Sequence, residues 1–184
     1  GGDGGMEYPM GTLITGHRGL FSLVGVTVHE LIHMWFHTRL ATNESLHHWM
    51  DEGFTVYMSD LTMHRLFDLR GRKHENSYMS YLRLVNDGLE EPMGQQADRF
   101  RTNAAYVMAS YRKGSLFLHQ LEYIIGEDAL KRTLRRYYAE WSGRHPTPTD
   151  FQRIAEQESG LQLKWYFDEM LYSTRTVDLA IRSV

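Results

Sequence analysis

Residues 29–33 read His-Glu-Leu-Ile-His, and this stretch determines how the rest of the chain is interpreted. Apolar residues recur at helical spacing over residues 20–39, which predicts an α-helix there. Two histidines four positions apart share one face of a helix, so the imidazoles of His29 and His33 can bind one metal ion. Glu30 lies beside that face, where a carboxylate can act as the base on a zinc-bound water.

A catalytic zinc site needs a third protein ligand and an open position for water. In one arrangement a histidine stands six residues after the second, but that position is Arg39 here. His37 lies about 12 Å along the axis from His29, too far to share an ion, and we expect it to have a surface or packing role. Glu52 follows His33 after eighteen residues, enough for a helix end, a loop and the first turn of an antiparallel helix. We therefore predict that His29, His33 and Glu52 bind zinc.

Apolar spacing, capping residues and glycines predict a mainly α-helical chain with a short strand near the N-terminus. Gly126 and Gly143 are expected to end helices, and Thr147, Pro148 and Asp150 are typical of a helix start. Residues 43–48 and 88–102 are expected to be loops. The predicted strand covers residues 9–15, and the predicted helices cover residues 20–39, 50–69, 76–85, 111–125, 128–141, 148–160 and 163–172.

The composition restricts the partners of the chain. Its 184 residues are 42% hydrophobic, enough to bury a core within one domain. A net charge of −3 offers no basic surface for nucleic acid, and no apolar run approaches the roughly 20 residues that cross a bilayer. Cysteine is absent, so a metal has to be bound by His, Asp or Glu. The compartment and the oligomeric state stay open.

Two further motifs lie on either side of the paired histidines. Residues 4–8, Gly-Gly-Met-Glu-Tyr, resemble the Gly-x-Met-Glu-Asn motif of certain exopeptidases, and residues 110–114, Ser-Tyr-Arg-Lys-Gly, resemble a Tyr-x-Lys-Gly element. Together with the zinc motif they make the chain similar to the gluzincin zinc aminopeptidases, the family of aminopeptidase N and the leukotriene epoxide hydrolase. This resemblance implies a thermolysin-like catalytic domain, N-terminally truncated, over residues 1–176. Residues 177–184 would then begin a following β segment.

The resemblance implies a role for each residue of the zinc motif. His29, His33 and Glu52 would bind one zinc ion per chain. Glu30 would take a proton from the zinc-bound water and later deliver it to the leaving amine. Tyr111 would donate its phenol proton to the tetrahedral oxyanion.

The N-terminal motif would bind the substrate. The resemblance implies that Glu7 binds the free α-amino group, which makes the enzyme an exopeptidase acting on peptides with a free N-terminus. Gly4 and Gly5 would let the backbone lie along the peptide as an added strand, and Met6 is the remaining substrate-binding residue of the motif. Tyr8 replaces the asparagine of the motif, and we expect it to reshape the wall beside the first substrate pocket.

Two alternatives to an aminopeptidase stay open. One is a non-catalytic, peptide-binding member of the same fold, although such relatives usually lose a ligand or the base, and this chain keeps both. The other is an epoxide hydrolase activity, because that pocket is shared within the family.

Overall fold

The computed structural model describes residues 4–175, which are mainly α-helical with one small sheet. The sheet consists of β1 (Gly5–Met6) and β2 (Leu13–Ile14), which pair antiparallel. The strand predicted over residues 9–15 is therefore shorter than expected, because a turn precedes it in which Met10 has a φ of 67°. The expected β segment at 177–184 lies outside the described residues, and the division of the chain at 176 stays a prediction.

Eight α-helices follow within this part of the chain, together with two π-helical segments. The segments are Met34–Arg39 and Met108–Lys113, here called the first and second π segments. The helices are α1 (Leu20–His33), α2 (Glu44–Leu66), α3 (Glu75–Asn86), α4 (Asn103–Val107), α5 (Gly114–Ile125), α6 (Glu127–Trp141), α7 (Pro148–Ser159) and α8 (Lys164–Tyr172), with a short 3-10 turn at Ala97–Arg99.

Side-chain caps decide where several helices begin. The Asn43 side chain accepts a hydrogen bond from the Leu46 backbone N–H at 3.3 Å, so α2 begins at Glu44 and the predicted loop at 43–48 is wrong. The helix is interrupted at His47, whose φ of −131° and ψ of 44° are not helical. The predicted start of α7 is confirmed, since Asp150 accepts from the Thr147 backbone N–H at 2.9 Å.

Helix α2 is the centre of the fold, packed against α1, α5 and the second π segment. Its Trp49 ring lies 4.9 Å from that of Phe117, and its Phe54 ring lies 4.9 Å from that of Phe151. These four rings are fully buried. Burying each such side chain contributes roughly 1.5–3 kcal/mol to the free energy of unfolding. The aromatic core therefore holds α2 in place, and with it the residues that precede Phe54.

One contact between helices depends on a pair of glycines. A Cβ atom added to Gly53 in α2 would lie 2.6 Å from the backbone of Gly114, where α5 begins. Any larger residue would push the two helices apart. Gly53 follows Glu52 directly, and Gly114 ends the Tyr-x-Lys-Gly element. The glycine pair thus brings two of the predicted functional motifs into contact.

None of the helices described in residues 4–175 combines the length and the apolar composition needed to cross a membrane.

Candidate metal centre

The last two turns of α1 present the paired histidines. His33 is fully buried and Glu30 nearly so, whereas His29 is partly exposed. The two Nε2 atoms of His29 and His33 lie 3.1 Å apart, and the ring centroids are 4.7 Å apart. Nitrogen atoms with lone pairs repel each other at this distance unless a proton or a cation lies between them. The pair is therefore arranged to bind a shared positive centre.

Glu52 completes the cluster from α2. Its Oε2 atom lies 3.2 Å from Nε2 of His29 and 3.5 Å from Nε2 of His33. A tetrahedral ion with ligands at about 2.0–2.1 Å has ligand-to-ligand edges of about 3.3–3.4 Å. The three distances, 3.1, 3.2 and 3.5 Å, lie close to those edges. The three residues therefore fit zinc, with the fourth tetrahedral position left for a non-protein ligand.

The second ring nitrogen of His33 is bound by α2 as well. Nδ1 of His33 lies 2.6 Å from Oδ1 of Asp51 and 3.3 Å from Oγ1 of Thr55. With Asp51 accepting from Nδ1, the Nε2 atom is the one that faces His29 and Glu52, where a metal ion can take the place of its proton. The spacing of the predicted ligands assigns no such role to Asp51, although a carboxylate next to Glu52 on the same helix turn is the signal that could have revealed it.

His37 also contacts Asp51 and is not simply a surface residue. Its Nδ1 atom lies 3.3 Å from Oδ2 of Asp51, and its ring stands edge-on to that of His33 with the centroids 6.3 Å apart. It takes no part in the cluster formed by His29, His33 and Glu52, in agreement with the axial distance expected from the sequence. Asp51 thus bridges two histidines of the same helical stretch.

Electrostatics in the cluster follow from burial and close pairing. Burial alone would lower the pKa of His33, but hydrogen bonds to Asp51 and Glu52 outweigh it and raise that pKa to about 10. Burial alone would raise the pKa of Glu52, but hydrogen bonds from the two histidines lower it well below its usual range. The third ligand is therefore an anion, which is the form that binds a metal cation.

Glu30 has the surroundings expected of a base. Its Oε2 atom is buried and has no hydrogen-bond partner within residues 4–175. Burial raises the pKa of Glu30, and the nearby His29 and His33 oppose that rise. Gly5 in β1 lies directly against this carboxylate, so that a Cβ atom on Gly5 would collide with it. Glu30 is thus confined between the histidines and the N-terminal strand.

Tyr111 reaches the cluster from the second π segment. Its hydroxyl donates to Oε1 of Glu52 at 2.6 Å, and its ring stacks nearly parallel to that of His29 with centroids 6.0 Å apart. Burial and the neighbouring Glu52 carboxylate raise the pKa of Tyr111 far above its usual range. The phenol therefore keeps its proton and remains a hydrogen-bond donor beside Glu52.

The N-terminal motif lies on another side of the cluster. Glu7 is buried, and its carboxylate lies within 4.8 Å of candidate ligand atoms of Glu30 and His33. Tyr8 is exposed and lines a cleft of 250 Å³ together with Glu7 and Glu30. The structure thus brings Glu7 close to Glu30 and His33, and Tyr8 to the wall of the adjacent cleft.

Gly5 and Met6 form β1, and Gly4 and Glu7 flank it. The Gly4 carbonyl accepts from the Thr15 backbone N–H at 3.0 Å and from the Thr15 hydroxyl at 2.6 Å, while Met6 pairs with Leu13. One edge of β1 is therefore occupied by β2. Gly5 approaches Glu30 closely, whereas Gly4 and Met6 are not part of the ligand cluster.

Two histidines on one helix and a glutamate on the next, arranged for a tetrahedral ion, define the class of gluzincin metallopeptidase centres. The chain matches the model of the peptidase family M1 domain over residues 16–170 and belongs to that family.

A curated relative supports this assignment, and solved structures share the fold. The chain is 30% identical over 156 residues to leucine aminopeptidase 2-1 of Meyerozyma guilliermondii, covering 73% of this chain and 24% of that protein. An M1 zinc metallopeptidase from Deinococcus radiodurans shares the fold with a TM-score of 0.72 at 20% identity, covering 95% of this chain and 38% of that one. Native yeast LTA4 hydrolase also has a TM-score of 0.72, at 21% identity. The match covers 97% of this chain and 31% of that one.

This chain is much shorter than those relatives. It spans 16% to 26% of the length of the curated relatives that it matches.

Proposed function

We propose that this chain carries the active site of a zinc-dependent aminopeptidase that removes N-terminal residues from peptides. The observation that carries the proposal is the convergence of His29, His33 and Glu52 at the edge lengths of a tetrahedral zinc site. Membership of the M1 family supports the same reading. Zinc bound by these residues would polarise the scissile carbonyl and acidify water.

Glu30 is the general base in this mechanism. Its buried Oε2 atom, without a hydrogen-bond partner in residues 4–175, is available to take a proton from the attacking water. The same carboxyl then delivers that proton to the leaving amine. The close approach of Gly5 limits the positions that the carboxylate can adopt, so the base is held where the reaction needs it.

Tyr111 is the oxyanion donor. Its hydroxyl stays protonated, and its hydrogen bond to Oε1 of Glu52 holds it at the edge of the cluster. The substrate carbonyl oxygen becomes negatively charged during the reaction. It is then a stronger hydrogen-bond acceptor for Tyr111 than the Glu52 carboxylate, which is already shared with His29 and His33. Moving this one donor to the oxyanion would stabilise the transition state more than the ground state.

Glu7 makes the enzyme an exopeptidase. It is a buried carboxylate that forms no ion pair with a lysine or an arginine within residues 4–175, and burying a charge without a partner is costly. The α-ammonium group of a peptide would supply the missing positive charge. A peptide held there by its first residue places its first peptide bond near Glu30.

The test of the mechanism is Glu30→Gln in the full-length zinc-loaded protein. We expect the variant to keep its zinc content and to lose hydrolysis of aminoacyl anilides by about 10²–10⁴-fold. Glu127→Gln is the matched control, because Glu127 is exposed at the start of α6, and it should retain full activity. A zinc-loaded Glu30→Gln protein with an undiminished rate would refute the assignment.

A second measurement tests the exopeptidase assignment. Glu7→Gln should reduce the rate on peptides with a free N-terminus much more than the rate on N-acetylated peptides, since only the former carry the ammonium group. Equal losses on both would point to an endopeptidase. A wild-type protein that binds zinc but cleaves nothing in a peptide library would instead indicate a non-catalytic, peptide-binding member of the family.

A further inference from the structure

A second and larger cleft begins at the metal centre. It has a volume of 890 Å³, shares His29 and Tyr111 with the cluster, and extends to the connection between α2 and α3 at residues 69–76. Its volume is typical of sites that bind drug-sized ligands. Glu7 and Glu30 do not line it, since they line the separate 250 Å³ cleft. The two clefts therefore leave the zinc ligands in different directions.

The larger cleft is positively charged, although the whole chain carries a net charge of −3. Asp60 and Glu75 are its two carboxylates. Against them stand five cationic side chains: Arg18, Arg70, Arg72, Lys73 and Arg112. Such a concentration of one sign of charge in a concave surface attracts ligands of the opposite sign.

Three of these cations lie at the exposed end of the cleft, in the connection between α2 and α3. Arg70, Arg72 and Lys73 are exposed, and none of them forms an ion pair within residues 4–175. The charge of Arg112 acts on the neighbouring Asp60, and part of the charge of Lys73 acts on Glu127 outside the cleft. The positive charge that a ligand would meet therefore comes mainly from residues 70–73.

We propose that this cleft binds a carboxylate group of the substrate on the C-terminal side of the scissile bond, through Arg70, Arg72 and Lys73. This inference rests on the proposed aminopeptidase function. A peptide bound with its ammonium at Glu7 would pass Glu30 and the zinc ligands and then enter the larger cleft. The binding path would run from the negative charge of Glu7 to the positive charge of the larger cleft. This order matches a short peptide, which begins with an ammonium group and ends with a carboxylate. Arginine side chains suit this role because they bind carboxylates through two parallel hydrogen bonds.

The carboxylate has two possible sources, the C-terminus of a short peptide and an acidic side chain. Three probes distinguish them: Ala-Ala-Ala with a free C-terminus, its C-terminal amide, and the amide of Ala-Glu-Ala. Their affinities are measured by calorimetry with the zinc-loaded, full-length Glu30→Gln protein, in which hydrolysis does not interfere. We expect Ala-Ala-Ala to bind about tenfold more tightly than its amide. Tight binding of the Ala-Glu-Ala amide would assign the cleft to acidic side chains.

The double variant Arg70→Ser/Arg72→Ser, made in the same protein, tests the residues. It should weaken binding of the carboxylate probe about fivefold to thirtyfold, leave the amide of Ala-Ala-Ala nearly unaffected, and reduce the salt dependence of binding. Arg101→Ser/Arg144→Ser is the matched control, since both arginines are exposed and lie outside the cleft, and it should change neither affinity.

The outcomes separate this inference from the proposed function. Equal affinities for the three probes, or an unchanged carboxylate preference in the double variant, would overturn the inference, and so would a failure to bind any of them. A carboxylate preference that the double variant abolishes would support it, even if the wild-type protein proved unable to hydrolyse peptides. In that case only the catalytic proposal would fail.

Discussion

The contact between Gly53 and Gly114 gives a sharp prediction about the link between packing and the site. In Gly53→Ala, the new methyl group would lie 2.6 Å from both C and Cα of Gly114, whereas ordinary contacts of a Cβ atom begin at 3.4 Å. Because the atoms it meets are backbone atoms, a rotamer change cannot relieve the clash. The helices α2 and α5 would have to separate by about 0.8 Å.

The magnitude follows from two opposing effects. Overpacking of this kind costs about 1–3 kcal/mol, and replacing glycine by alanine inside a helix returns up to about 1 kcal/mol. We therefore expect a net loss of up to about 2 kcal/mol in the free energy of unfolding. The same separation would lengthen the 2.6 Å hydrogen bond from Tyr111 to Glu52 to the edge of hydrogen-bonding range, so activity should fall as well.

Urea unfolding measures the loss, with Gly25→Ala as the matched control. Gly25 lies inside α1, and a Cβ atom there would meet only the flexible end of Met63 at 3.6 Å. That variant should gain about 0.5–1 kcal/mol of stability. If Gly53→Ala proved as stable as Gly25→Ala, the close approach of α2 and α5 would be wrong.

Two further predictions concern acids near the metal centre. Asp51→Ala should weaken zinc binding by about 10–100-fold, and Asp51→Asn by less, because asparagine keeps an acceptor for His33. Competition with a chromogenic chelator measures the zinc affinity. Equal zinc affinities of the wild-type protein and Asp51→Ala would contradict the role of Asp51. Burial raises the pKa of Asp60 from 3.8 to about 6, so its ionised form destabilises the fold above that pH. Asp60→Asn should therefore raise the free energy of unfolding at pH 8, with a gain that shrinks towards pH 4; a gain independent of pH would rule out this explanation.

Much of the site could be predicted because its chemistry is local in sequence. The spacing of His29 and His33 is a property of any α-helix, and the structure places both side chains and Glu52 together. The contact between Tyr111 and Glu52 could not be read from the pattern, because it depends on how closely two helices approach at a glycine pair. The role of Asp51 was missed for a related reason, since spacing identifies ligands but not the partner of a second ring nitrogen.

The helix boundaries show where apolar periodicity fails as a guide. Residues 43–48 are polar and were expected to be a loop, yet Asn43 caps a helix that begins there. Similarly, the helix predicted to start at residue 111 is preceded by α4, whose start is capped by Thr102 through a 3.1 Å hydrogen bond from the Ala105 backbone N–H. In both places a single polar side chain satisfies the free backbone groups, and no apolar face is needed to form the first turn.

The second π segment has a consequence for how relatives are compared. A π-helical turn holds one residue more than an α-helical turn, and each residue of a helix turns the chain by about 100°. Loss of one residue from Met108–Lys113 would therefore change the direction in which the phenol ring of Tyr111 projects, while leaving the rest of the motif intact. A one-residue gap at this point of an alignment records a change in active-site geometry and not merely a change in loop length.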